Sequence, residues 1–200
     1  MRESYDWLIF MTGVQVPGYT AAHLANILGA FGVGLSDVAG SAVMSATGLD
    51  ETTAAALVTV AARPGQPISD LAAGLNITHS GAVRTADRLQ DLGLAERYHL
   101  AADRRVTRLR LTSRGTALAD EALDARRTAL AGLLEEVDEA AIPALSQAIE
   151  AILRRLPRTR SDAWHICRLC EHAVCQGTAC PVGSAVPEAS GRPAPAGRTP

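Results

Sequence analysis

ISDLAAGLNITHSGAVRTADRLQDLGLAERYHLAADRRVTRLRLT, residues 68–112, is the stretch whose reading decides the fold. Ile68, Leu71, Ala72 and Leu75 recur at helical spacing and predict a short helix over Ser69–Leu75. Gly74 and Asn76 supply turn chemistry, and Thr78 is suited to cap a second helix from His79 to about Leu92. Ala82, Val83, Ala86, Leu89 and Leu92 form the buried side of that helix. His79, Ser80, Arg84, Thr85 and Arg88 fall on its exposed face or N-terminal end. Gly93 follows as a C′ residue. Two short helices joined by a turn have the layout of a helix-turn-helix whose second helix can enter a major groove.

A ribbon follows. Ala95–Leu100 and Val106–Leu111 alternate enough to be strands, with Leu94, Leu109 and Leu111 facing in, and residues 101–105 make a polar tip. From Thr78 to Arg114 there are 8 arginines against 4 acids, in a chain of net charge −2. Guanidinium groups present a planar, permanently charged fork of donors that suits phosphates and base edges. A basic patch on an acidic chain points to nucleic acid more sharply than uniform basicity does.

The segment resembles the winged helix-turn-helix of the MarR family of bacterial transcriptional regulators. The matching residues are the Ile68–Leu75 helix, Ser80-Gly81-Ala82-Val83-Arg84 with Asp87-Arg88-Leu89, Gly93-Leu94 with Arg97, and Asp103-Arg104-Arg105 leading to Leu111-Thr112. The similarity runs from about residue 20 to residue 156. It implies a mainly α fold with a small β-wing, assembled as an intertwined helical homodimer on a pseudo-palindromic operator in double-stranded DNA. It also implies that each recognition helix lies in a major groove. Arg105 would read the adjacent minor groove, and Asp103 would orient the wing tip. Thr78, His79, Ser80, Arg84, Thr85, Arg88, Asp103, Arg104 and Arg105 are the expected DNA-binding residues.

Outward from this core, Thr20 to about Thr47 reads as a long helix with Leu24, Ile27, Leu28, Phe31, Leu35, Val38 and Ala42 on one stripe. Gly29, Gly32, Gly34 and Gly40 interrupt it, each at about 1 kcal/mol relative to alanine. They suggest a close helix approach or a kink, with a subunit interface the natural place. Asp50 is expected to cap an apolar helix, Glu51–Ala62. Beyond the wing, Thr112 or Ser113 starts a helix to about Glu136. Asp138 starts another, in which Pro143 should remove a backbone bond and bend the axis. Their apolar stripes need partners, as a helical dimer would supply.

All four cysteines lie in Cys167-Arg-Leu-Cys170-Glu-His-Ala-Val-Cys175-Gln-Gly-Thr-Ala-Cys180, a C-x2-C-x4-C-x4-C spacing. Four thiolates this close can surround one tetrahedral ion, and a segment too short for a core needs a cross-link to fold. Zinc held by Cys167, Cys170, Cys175 and Cys180 is the leading expectation. An iron–sulfur cluster, a thiol redox switch and simply exposed cysteines stay open. His172 can replace one cysteine as a ligand, and His165 is a weaker candidate.

The expected organisation is an N-terminal extension at 1–18 and a winged-helix and dimerisation body at 19–156, with its DNA-binding core at 50–112. A four-cysteine metal-binding tail at 157–183 and a disordered Pro/Gly/Ala-rich tail at 184–200 complete it. Trp7–Val16 resembles a short signal h-region, but its flank carries Glu3 and Asp6 as well as Arg2 and no small-x-small cleavage site follows, so no secretory leader is expected, and no apolar run approaches bilayer length. No nucleophile elbow, phosphate loop, dinucleotide fingerprint or H-E-x-x-H occurs, so no enzyme is expected. The expectation is a cytoplasmic DNA-binding regulator with no membrane partner. It would answer to a small-molecule effector or to the metal or redox state of its tail. The alternative is a metal-handling or thiol-redox protein that uses the helical body as a dimer scaffold.

Overall fold

A computed structural model describes residues 20–101, 103–175 and 177–187. The extension at 1–18 and residues 188–200 lie outside the described residues. Helix α1, Ala21–Thr47, starts where the Thr20 hydroxyl accepts from the His23 amide and stops at Gly48, whose φ of 68° closes the last turn. In α2, Glu51–Ala62, the Asp50 carboxylate accepts from both the amide and the hydroxyl of Thr53. Burial opposes the charge on Asp50, but these bonds outweigh it and hold the carboxyl below its ordinary value. The expected helix-turn-helix follows as α3, Ile68–Leu75, and α4, His79–Asp91. Asn76 between them takes the left-handed conformation.

Strands β1, Ala95–Leu100, and β2, Asp103–Leu111, pair antiparallel from Ala95↔Leu111 to Leu100↔Asp103, with an irregularity between Tyr98 and Leu100. The second strand is three residues longer than its alternation suggested, because Asp103, Arg104 and Arg105 join the ladder. The linker before α3 adds an isolated bridge, Pro67↔Arg108, so the wing is sewn to the helical lobe.

Leu57, Leu71, Leu89, Leu94 and Leu109 are at most 1% exposed and form the centre of the winged-helix core. These five come from α2, α3, α4, the turn after α4, and β2, so the core fixes the recognition helix against every other element. Helix α5, Ser113–Gly132, runs back along α1 and α2. Its first turn passes so close to the Leu94 carbonyl that a Cβ on Gly115 would overlap it. That makes glycine a requirement there.

Helix α6, Ile142–Leu153, buries none of its residues, and α7, Arg160–Ile166, packs on α3. Three expectations change here. Residues 133–138 leave the α-helix, and a 3-10 turn at Glu139–Ala141 precedes α6, so Pro143 falls in the first turn, where its missing N–H costs little. The four α1 glycines have nothing within 4 Å of an added Cβ, so no described residue of this chain makes the close approach, which leaves the subunit interface as the place expected for it. Finally, α1 is long and apolar enough to cross a membrane by length and composition, contrary to expectation. Its packing along α5 and the burial of Ala39 and Val43 assign it instead to the helical body.

Candidate nucleic-acid interface and cysteine cluster

Helix α4 presents its N-terminus outward. The Thr78 hydroxyl accepts from the Gly81 amide at 3.1 Å and lies 3.2 Å from the Ser80 hydroxyl. Thr78, His79 and Ser80 are exposed around backbone N–H groups that have no partner within the helix, a setting that favours an anionic phosphate. Arg84 and Arg88 lie one turn apart on the same exposed face.

Thr85 corrects the expected set. It is 9% exposed, and its hydroxyl donates to the Gly81 carbonyl at 3.0 Å. It lies three residues after Ala82 and four before Leu89, on the buried stripe, so it is a packing residue rather than a surface contact.

The eight arginines of the patch divide by role. Arg97 bridges the Asp87 carboxylate at 2.8 Å and the Val83 carbonyl at 3.1 Å, tying β1 to the recognition helix. Arg108 donates to the Gly65 carbonyl at 2.6 Å, Arg110 pairs with Glu96 at 2.9 Å, and Arg114 donates to the Leu92 carbonyl at 3.2 Å. These four brace the lobe. Arg84, Arg88, Arg104 and Arg105 are exposed, and among the described residues none is in an ion pair.

Two open clefts connect the surfaces. One of about 460 Å3 lies between α4 and the wing, lined by His79, Val83, Arg97, His99 and Arg105 among others. A second, of about 570 Å3, brings Thr78, Arg84 and Arg88 beside Asn76 and the start of α2. The structure therefore brings His79 and Arg105 to one cleft and gathers Thr78, Arg84 and Arg88 in the other. Asp103 is placed by its backbone alone, opposite Leu100 at the tip. The Arg97–Asp87 brace has no signal in the sequence, since nothing in a spacing of ten pairs the two residues.

The tail forms a small lobe of its own. A capping box starts α7: the Thr159 hydroxyl accepts from the Asp162 amide, and the Asp162 carboxylate accepts from the Thr159 and Arg158 amides at 2.8 and 2.9 Å. Those backbone bonds hold the Asp162 carboxyl below its ordinary value. Arg160 reaches the carbonyls of Gly183, Val186 and Pro187, and Val186 is 6% exposed. The chain expected to be disordered from 184 is thus folded through Pro187.

The cysteines are half-buried and free of disulfides. The neighbouring Cys170 thiol, with burial and Cys180, raises Cys167 well above the ordinary thiol range. The Cys167 thiol and the Arg126 and Arg168 charges, acting against burial, bring Cys170 down to about 6. Cys175 is pushed up to about 11 by burial and by Cys180. The Gly183 amide donates to the Cys180 sulfur at 3.1 Å. Burial and the Arg63 charge lower His172 below its ordinary value, against a smaller opposing effect of the Cys167 backbone. Among the described residues, no three His, Cys, Asp or Glu side chains are grouped so that they could hold a metal ion, so the expected ligand set of Cys167, Cys170, Cys175 and Cys180 is not assembled here.

The comparisons with known proteins cover part of the chain. A model described as the MarR family matches residues 47–106. The chain is 30% identical over 122 residues to the transcriptional repressor MprA of Escherichia coli (strain K12), covering 60% of this chain and 69% of that protein. It resembles in fold the crystal structure of RV1404 from Mycobacterium tuberculosis, with TM-score 0.63 and 20% identity over 71% of this chain and 98% of that one. It also resembles CouR from Rhodococcus jostii RHA1, solved bound to p-coumaroyl-CoA, with TM-score 0.52 and 22% identity over 64% of this chain and 90% of that one. The braced recognition helix, the wing and the repressor relative agree: the chain belongs to the MarR family of DNA-binding transcription regulators, and its work is regulation rather than catalysis.

Proposed function

We propose that the chain is a cytoplasmic repressor that binds a pseudo-palindromic operator as a homodimer. The observation that carries this reading is the division of its arginines. Arg97, Arg108, Arg110 and Arg114 brace the lobe, while Arg84, Arg88, Arg104 and Arg105 stay exposed beside α4 and along the wing. Residues 78–80, Arg84 and Arg88 contact major-groove phosphates and base edges, and Arg105 enters the minor groove. The relative's name, repressor, supports the sense of regulation.

The homodimer is supported by apolar faces that stay exposed among the described residues. Leu24, Ile27, Leu28 and Phe31 on α1 are 43–49% exposed, and Leu134 and Leu156 are similarly open. Burying such faces stabilises a subunit interface at roughly 25 cal/mol per Å2. Two such subunits present two recognition helices to a two-fold DNA site. The signal is a small ligand, or the state of the cysteine tail, that binds one spacing of the recognition helices better than the other. The cleft between α4 and the wing is a place for such a ligand.

The test is selection of duplexes from a random library by the full-length protein, followed by mobility shift. Enrichment of an inverted repeat, with Arg84→Ala and Arg88→Ala each losing about 1–3 kcal/mol of affinity, is expected. Enrichment of nothing, from a protein that sediments as a monomer, would contradict the reading.

A further inference from the structure

The winged-helix lobe meets the helical body at two short crossings of the chain, Gly48–Asp50 between α1 and α2 and Thr112 between β2 and α5. Element-terminal residues of this kind are where a lobe tilts as a body. In a dimer the tilt of two such lobes sets the distance and angle between their recognition helices. A further connection crosses this joint without following the chain. On one side the tail lobe is fixed to the end of α6. Leu153 packs against the tail core of Ala163, Val182 and Val186. The Arg154 guanidinium pairs with Glu150 on α6 at 3.1 Å and donates to the Ser184 hydroxyl at 3.5 Å. Only residues 154–159 separate α6 from α7. Pro157 among them is buried, and the Arg158 and Thr159 amides are held by Asp162. A linker so short and so bonded transmits position.

On the other side the same tail lobe is seated on α2 and α3. The Ser161 hydroxyl donates to the Ala73 carbonyl at 3.1 Å, at the end of α3. The Arg63 guanidinium, just past α2, stacks 4.6 Å from the Trp164 ring centroid. Gly74 leaves the room for this: a Cβ there would lie 2.9 Å from the Arg63 Nη2 and 3.6 Å from the Trp164 Cβ. Further along, the Thr59 hydroxyl donates to the Arg168 carbonyl, and Arg168 pairs with Glu51 at 3.4 Å. The contacts on α2 therefore run from Glu51 to Arg63, about 18 Å along the helix axis. Helices α2 and α3 are also the ones that hold the recognition helix, since Leu57 and Leu71 share a core with Leu89 of α4. A shift of the seat is a shift of α4.

We infer that the tail lobe is a cross-brace from α6 to the winged-helix lobe, with Ser161, Trp164 and Arg168 as its positioning residues, and that its seating fixes which half-site spacing the protein accepts. One base pair added between half-sites turns one of them by about 35° and moves it by about 3.4 Å. Braced lobes do not follow such a change, and unbraced lobes tilt to meet it. The restraint on tilt belongs to the chain itself, and its effect on spacing rests on the dimeric operator binding proposed above.

Two full-length variants attack the seat from opposite sides. Trp164→Ala removes the ring from the tail, and Gly74→Met places a wedge on α3. Spin labels at Gln90 on α4 and Gln147 on α6, both exposed, are attached through unnatural side chains that spare the cysteines. Their separation is read by pulsed electron resonance in an excess of unlabelled chain. The native chain should give one narrow distance, and each variant a broader or shifted distribution. The same distribution in all three would overturn the brace, whether or not the chain binds DNA. Mobility shift then compares the inverted repeat that the protein selects with repeats one base pair shorter and longer. The preference for the selected spacing should fall roughly fivefold or more in both variants, the lower end of coupling between sites. The salt slope, which counts phosphates contacted, should stay native. An unchanged preference beside broadened distances would overturn the role in spacing. If the native chain selects no repeat at all, the operator reading fails while the label distances still decide the brace.

Discussion

The winged-helix lobe and the tail lobe lie against each other and are built by opposite means. The first packs five leucines at no more than 1% exposure, drawn from α2, α3, α4, β2 and the turn after α4. Among the described residues the second buries Ala163, Val182 and Val186, and is held by hydrogen bonds, a capping box and a ring stacking. Burial is cooperative across a whole lobe, whereas bolts are local. Damage to the first should therefore be global, and damage to the second confined and responsive to conditions.

The largest effect should come from Leu89→Ala, which empties the centre of the winged-helix core. A loss of about 2–5 kcal/mol is expected, visible as a fall in the urea midpoint of the whole protein. An unchanged midpoint would mean that the core does not carry the fold. Gly115→Ala comes next, since its Cβ must displace the Leu94 backbone. Cost here is at least that of ordinary overpacking, about 1–3 kcal/mol, measured by thermal unfolding.

Trp164→Ala tests the other side of the comparison. It should remove about 1 kcal/mol of stacking with Arg63 and speed hydrogen exchange only in the tail. Faster exchange throughout α4 would show that the two lobes are a single cooperative unit.

The smallest effect belongs to Asp162. Its folded carboxyl lies below the ordinary value, so its contribution is complete above the unfolded pKa of about 3.9 and disappears as the pH falls through the folded one. Acidification through that window should loosen α7 in the native chain, followed by tail proteolysis, and Asp162→Asn should abolish the pH step. A step of the same size in the variant would assign it to another group.

The same contrast explains what the sequence made legible. The helix-turn-helix could be read almost to the residue, because Thr78, Asn76 and Gly93 are local signals and Leu71 and Leu89 belong to short periodic stripes. Thr85 was misread although its position between Ala82 and Leu89 places it on the apolar stripe; its polarity outweighed its spacing. Pro143 was misplaced because the 3-10 turn ahead of it resets the helix start. The length of α1 escaped notice since glycines, Ser36 and Asp37 interrupt its apolar run.

The seating of the tail had no sequence signal at all. Ser161 meets Ala73 across 88 residues, and Thr59 meets Arg168 across 109. Bonds of that separation leave no periodicity behind. The cysteines were visible as chemistry, and their neighbours in space were not.

The most direct test of the central claim is a salt titration of DNA binding, by fluorescence anisotropy, with the duplex the protein selects. The account predicts a steep linear fall of log affinity with log salt, at a slope of about −0.9 per phosphate contacted. In Arg105→Ala the affinity should drop and the slope should shrink by roughly the share of one contact, with the dimer intact. Affinity that ignores salt, or an Arg105→Ala variant indistinguishable from the native chain, would contradict the assignment of α4 and the wing as the DNA-binding surface.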